Sequence, residues 1–157
     1  MKIKNKIILL IVLMLSVLNN TYSTDTINLT CSIPIKNGYI VERPSLNLGN
    51  PIDGVIVYTK TNNQCVEVRS MSNGTVFKII KFEGDSIIII KSDPYLLWYV
   101  NVKFLKLKVK DEVKQGSVIG YLDPQSIRYG LHLMITKKDS MLNFEEHLKF
   151  IEKICKQ

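Results

Sequence analysis

"GTVFKIIKFEGDSIIIIKSDPYLLWYVNV", residues 74–102, settles the fold class. It contains three runs of ordinary strand length, "GTVFKIIKF", "SIIIIKS" and "YLLWYVNV", rich in the β-branched and aromatic side chains that suit a pleated surface. Glu83-Gly84-Asp85 and Ser92-Asp93-Pro94 separate them. Gly supplies positive φ and Pro a fixed φ, so each junction reads as a turn. "SIIIIKS" has no polar alternation, which predicts a strand buried on both faces.

The same pattern continues on both sides. "DGVIVYT" and "CVEVRS" precede the stretch, while "FLKLKVK", "SVIGYL" and "LHLMIT" follow it. Each predicts a short strand, and together they predict a mainly β domain, an antiparallel sheet or sandwich. Only the end changes period. In "NFEEHLKFIEKICK", residues 143–156, Phe144, Leu148, Ile151 and Cys155 recur at helical spacing behind Asn143 as a cap, with Glu145 and Glu146 in the first turn. That predicts one amphipathic C-terminal helix. His147, set among Glu145, Glu146 and Lys149, reads as a surface residue of it. Residues 38–157 show no internal boundary, and residues 24–37 read as a loose lead-in.

Lys2, Lys4 and Lys6 precede the apolar run "IILLIVLMLSVL", and Thr21 and Ser23 stand at the small-residue positions of an export cleavage site. Residues 1–23 therefore read as a signal peptide. The run falls short of the roughly 20 residues that span a bilayer, so membrane attachment follows only if the segment stays uncleaved. Setting aside those three lysines takes the formal net charge from +7 to +4. The remaining lysines at 103, 106, 108, 110 and 114 mostly alternate with apolar residues, which predicts the wet face of strands and no nucleic-acid stripe. Of the three cysteines, Cys31, Cys65 and Cys155, an oxidising compartment allows one disulfide. Joining Cys31 to Cys155 would tie the two ends, but spacing does not choose the pairing, and none of the spacings is a zinc-ribbon or redox pattern. "Asn73-Gly74-Thr75" and "Asn28-Leu29-Thr30" match the glycosylation acceptor pattern by chance.

Five segments in series resemble the LytM or lysostaphin-like zinc peptidases, which cut peptide cross-links in bacterial peptidoglycan. "Ile52-Asp53-Gly54-Val55-Ile56" stands where that family carries H-x-G-x-D. "Asn73-Gly74-Thr75-Val76" matches its G-T-x-V strand, and "Tyr99-Val100-Asn101-Val102" its Y-x-H-L strand. Residues 109–120, "VKDEVKQGSVIG", match its hairpin, and "Gly130-Leu131-His132-Leu133-Met134" matches G-x-H-L-H. The resemblance covers about residues 52–148. It implies the LytM type of sheet, known as the duplicated hybrid motif, with the C-terminal helix appended.

The resemblance also implies where chemistry would sit. The family's zinc ligands fall on Ile52, Ile56 and Met134, and its two assisting histidines on Asn101 and His132. Isoleucine has no lone pair, and a thioether is a soft donor better matched to Cu(I). A catalytic zinc needs about three protein ligands and one open position. His132 is then a remnant, and without a metal to lower the pKa of bound water an isolated imidazole has no route to amide hydrolysis. The implied function is an exported, non-catalytic domain without cofactor. It would bind or scaffold in the bacterial envelope, as periplasmic or extracellular protein, with peptidoglycan or a wall hydrolase as partner. Tyr95, Trp98, Tyr99 and His132 are candidates for a groove. The rival reading is an active zinc-dependent endopeptidase with relocated ligands, for instance His132 with Cys65 and a carboxylate. A carrier-type adaptor built on residues 109–120 is a third, although biotin or lipoate would be unexpected on an exported domain.

Overall fold

The computed structural model describes residues 26–28, 33–41, 54–60, 64–82, 84–103, 107–122 and 130–156. In chain order the elements are β1 (Thr26–Asn28), β2 (Gly38–Val41), β3 (Val55–Thr59), β4 (Val66–Arg69), β5 (Gly74–Phe82) and β6 (Asp85–Ser92). They continue with β7 (Tyr95–Val102), β8 (Glu112–Val113), β9 (Val118–Leu122), β10 (Leu131–Lys137), β11 (Ser140–Met141) and α1 (Phe144–Cys155). Among these residues the large sheet runs β1-β2-β3-β10-β7-β6-β5-β8, with β11 paired to β10, while β4 and β9 form a separate ribbon. Every pairing is antiparallel. The fold is thus mainly β with one C-terminal helix.

Alternation decides the layers. On β10 the odd residues Leu131, Leu133 and Ile135 are fully buried, while His132, Met134 and Thr136 between them are half-buried. The same parity holds on β3, where Val55 and Val57 are buried, and on β7, where Leu97 and Tyr99 are. Of these inward residues, Val55, Val57, Leu97, Tyr99, Leu131 and Leu133 meet Val68, Ile119 and Leu122 of the small ribbon and Ile151 of α1 in one core cluster. Each fully buried Leu or Ile contributes about 1.5–3 kcal/mol, so the core holds the ribbon and helix against one face of the sheet, while the residues of the other face, Ile56, Trp98, Val100, His132 and Met134, are half-buried. On β6, Ile88, Ile89 and Ile90 are all buried, as the unbroken isoleucine run predicts.

Tyr99 anchors the centre of the core. Its hydroxyl accepts the Met71 backbone N–H at 2.8 Å. Burial pushes that hydroxyl above the usual phenol range, against the opposing effect of the bonds to Met71 and Ser70. Tyr99→Phe should leave the Met71 N–H buried without an acceptor and destabilise the fold by about 1–3 kcal/mol, measured as a lower urea midpoint. The pH dependence has a definite sign. The unfolded phenol loses its proton near pH 10, while the folded one keeps it beyond that. The native state therefore binds more protons above about pH 10, and stability falls as pH rises there. In Tyr99→Phe that alkaline slope should be shallower.

Three expectations change. The run "FLKLKVK" alternates like a strand, but its described part, residues 107–110, is a turn: Lys108 N–H is bonded to Asp111 Oδ2 at 2.7 Å and Lys110 N–H to Val76 C=O at 2.8 Å. The lead-in at 24–37 contains β1, whose residues pair with β2. His147 is not on the surface: it is fully buried. It lies three residues after Phe144 and four before Ile151, on the inward side of α1. The helix otherwise follows expectation, with Glu146 N–H donating to Asn143 Oδ1 at 3.0 Å and Asn143 N–H to Glu146 Oε2 at 2.8 Å, a reciprocal cap. Cys155 is disulfide-bonded, Cys65 is free and exposed, and Cys31 lies outside the described residues.

Candidate functional site

The outward face of the central strands carries the residues singled out from the sequence. Ile56 of β3 lies directly opposite His132 of β10, and Val100 of β7 lies opposite His132 on the other side. Met134, two residues further along β10, is paired with Trp98, which is paired in turn with Ile89 of β6. Ile56 and Met134 are therefore diagonal neighbours on one face, about 7–8 Å apart at their Cα atoms. His132 stands in the same row as Ile56, half-buried. Ile52 lies outside the described residues.

Backbone constraints explain why the two strands meet so closely here. Gly54 has φ +100°, and a Cβ on it would stand 2.3 Å from the Leu133 carbonyl and 2.9 Å from Met134 Cγ. Gly130 has φ +67°, and its Cβ would stand 2.8 Å from both Val57 O and Ile56 Cγ2. Only glycine fits either position. Asn101 has φ +71°, a conformation asparagine tolerates better than most residues, and its Nδ2 donates to Gly130 C=O at 3.1 Å, joining the end of β7 to the start of β10.

The four groove candidates do not share a face. Trp98 and His132 point to the outward side, but Tyr95 and Tyr99 follow the parity of Leu97 and point inward. Tyr99 is core, and Tyr95 packs edge-on to Phe150 of α1 at 5.1 Å between ring centres. Tyr95 and Tyr99 therefore leave the groove set, because residues three or one apart from Trp98 on a strand must face the other way. Tyr58 and Tyr39 take their place. They are paired across β3 and β2, stacked at 5.7 Å, and continue the row of Ile56. Alternation in "VIVYT" was the signal for Tyr58, since it lies two residues from Ile56.

Chemically the face is apolar. Ile56, Val100, Met134 and Trp98 surround one imidazole, and the Trp98 indole N–H is buried without a hydrogen-bond partner. Among the described residues no three His, Cys, Asp or Glu side chains come together. Zinc does not suit the donors that Ile56 and Met134 present: a hydrocarbon offers none, and a thioether is too soft.

The sequence pattern of peptidase family M23 matches residues 50–144. The chain belongs to that family. Solved structures agree on the fold. A chain of the SpoIIQ-SpoIIIAH pore-forming complex superposes with TM-score 0.54 at 22% identity, covering 70% of this chain and 75% of that one. The catalytic domain of lysostaphin from Staphylococcus simulans gives 0.52 at 18% identity, over 70% and 85%. The catalytic domain of the prophage-encoded M23 protein EnpA from Enterococcus faecalis gives 0.51 at 18%, over 78% and 91%. At these identities the likeness is one of fold. No curated protein matches the chain. Among the described residues, no helix of this M23 chain is long and apolar enough to cross a membrane.

Proposed function

We propose that this M23 chain is an exported binding module that has exchanged zinc hydrolysis for partner recognition in the bacterial envelope, with peptidoglycan or a wall hydrolase as partner. The observation that carries the reading is the row Ile56–His132–Val100 beside Met134 and Trp98. At the two described positions where the family resemblance places an aspartate and a histidine ligand, the chain has hydrocarbon and thioether. Gly54 and Gly130, which that same pair of motifs needs for backbone approach, remain. What serves the fold is kept and what would grip a metal is replaced. The disulfide at Cys155 supports an oxidising compartment, and a structural relative that forms part of a two-protein assembly supports a scaffolding use of the fold.

The test combines two measurements on the full chain purified without chelators. Metal content should be well below one zinc per chain, and digestion of purified peptidoglycan should release no fragments. The same preparation should be retained on peptidoglycan or on a purified wall hydrolase. One tightly bound zinc, lost together with hydrolysis on chelation, would overturn the reading in favour of relocated ligands. Failure to retain either partner would remove the proposed role.

A further inference from the structure

We propose that the contact between α1 and β10 is an acid-sensitive latch: it closes only while His147 is neutral, and protonation of the ring releases the first turns of the helix from the strand that carries His132 and Met134. The latch needs no ligand to operate; its use in regulating the face described above rests on the binding-module reading.

The latch fills a break in the sheet. Along one side of β10, β3 pairs with Leu131–Leu133 and β11 with Thr136 and Lys137. Between them the Ile135 C=O accepts the Leu142 N–H at 2.9 Å. In a regular antiparallel ladder Leu142 would accept the Ile135 N–H in return. The chain instead enters α1 behind Asn143, and the Ile135 N–H donates to His147 Nε2 at 2.9 Å. An imidazole on a helix thus takes the place of a strand.

Both ring nitrogens are committed. With Nε2 accepting, the proton sits on Nδ1 and is donated to the Asn143 C=O at 2.8 Å. A second proton has to go on Nε2, where it meets the Ile135 N–H as donor against donor. The bond is then lost, and a positive charge is left on a fully buried side chain. The charged groups on the surrounding described elements do not offset it. Glu145, Glu146, Lys149 and Glu152 of α1 are all exposed, and Glu146 Oε2 is bonded to the Asn143 N–H. Lys137, the next residue of the same parity on β10, carries a like charge and lies over the Tyr95 ring of β7 at 5.8 Å. Lys138 and Asp139 of the following turn are exposed, and β3 and β11 contain no carboxylate. Exposed carboxylates are screened by water and stabilise a buried cation weakly. Opening toward water is how the ring accommodates its charge.

The opening is confined to one end of the helix. α1 buries two residues fully, His147 near its start and Ile151 one turn on, and its last turn is fastened by the disulfide at Cys155. Its direction with pH follows from proton counting. An imidazole in water takes up a proton near pH 6.5. The closed latch has no place for that proton, so below about pH 6.5 the opened form binds more protons, and closure weakens as pH falls, by up to about tenfold per unit. Above that range the latch is indifferent to pH.

Solvent exchange of the Ile135 amide in the full chain, corrected for the intrinsic effect of pH on exchange, tests the latch from about pH 7.5 down to about pH 5. Protection of Ile135 should hold above about pH 6.5 and fall about tenfold per unit below it. The buried Ser70 amide, bonded to the Ser117 C=O at 2.9 Å, should keep its protection over the same range. His147→Gln offers an acceptor that does not titrate and should abolish the acid slope. His132 is the chain's other histidine, and the slope should persist in His132→Gln. Ring nitrogen chemical shifts of the unsubstituted chain need no variant to fold: His147 should be neutral with its proton on Nδ1 at high pH and become charged only where Ile135 opens. A flat Ile135 profile, an equal slope in His147→Gln, or a ring that takes its proton while Ile135 stays protected would sink the latch. Equal loss of protection at Ser70 would do so too, since global acid unfolding requires no latch. If Ile135 opens as expected while neither peptidoglycan nor a wall hydrolase retains the chain at any pH, the latch stands and the binding-module reading falls. Retention on either partner with a flat Ile135 profile is the reverse.

Discussion

Placing Ile52→His, Ile56→Asp and Met134→His in one chain should create a zinc site. Ile56 and Met134 are diagonal neighbours across β3 and β10, so the two new donors would point from one face into one space. Without metal the variant should be less stable than its parent, because a carboxylate and an imidazole would stand half-buried among Val100, Trp98 and Ile89 with their hydrogen bonds incomplete, at about 1–3 kcal/mol each. Zinc at roughly a hundred times its dissociation constant should return about 2.7 kcal/mol, a rise of about 10 °C in thermal midpoint for a chain of this size. Ile56→Asp alone should show the loss without the rescue. If zinc leaves the midpoint of the triple variant unchanged, the correspondence between residues 52, 56 and 134 and the family's ligands is wrong, and with it the proposed non-catalytic role.

That correspondence illustrates what a single sequence exposes. β6 and β7 were legible because their isoleucine and aromatic runs are bounded by Gly84 and Pro94, and α1 because Phe144, Leu148, Ile151 and Cys155 recur at helical spacing behind Asn143 as a cap. Membership of the M23 family was legible from five spaced motifs, of which Gly54 and Gly130 have a backbone reason to persist. The pairing of Ile56 with His132 was not visible, since register between distant strands depends on contacts that alternation alone does not specify. Residues 107–110 read as a strand because a turn that happens to alternate lysine with apolar residues has the period of one. The register shift at Phe77 in β5 was hidden for a related reason: a bulge breaks parity at one residue and leaves no mark in composition. Residue type alone puts Tyr95 and Tyr99 in a groove, although their spacing from Trp98 places them on the opposite side.

His147 reads as a surface residue for the same reason, the charged company it keeps, yet its replacement should cost more stability than Tyr99→Phe. On β10 the pairing with β3 ends at Leu133, and the pairing with β11 begins at Thr136. The Ile135 N–H falls in that gap, and it donates to His147 Nε2 at 2.9 Å. A backbone N–H can only donate, so Nε2 must accept, and the ring proton sits on Nδ1, which donates to Asn143 C=O at 2.8 Å. That carbonyl also accepts the His147 backbone N–H at 3.0 Å, so removing the ring orphans the Ile135 donor and leaves Asn143 served. His147→Leu, which keeps apolar volume, should therefore cost about 1–3 kcal/mol for one buried unsatisfied N–H. His147→Ala adds a cavity and should reach about 4 kcal/mol. His147→Gln, whose amide oxygen can accept the same bond, should recover part of the loss. Urea midpoints give the free energies, and exchange of the Ile135 amide with solvent should accelerate in His147→Leu and slow again in His147→Gln. The last turn of α1 is tied independently by the disulfide at Cys155, so loosening should be confined to the first turns of the helix and to β10. A cost below about 1 kcal/mol for His147→Ala would mean that the gap in the ladder is closed by something other than this ring.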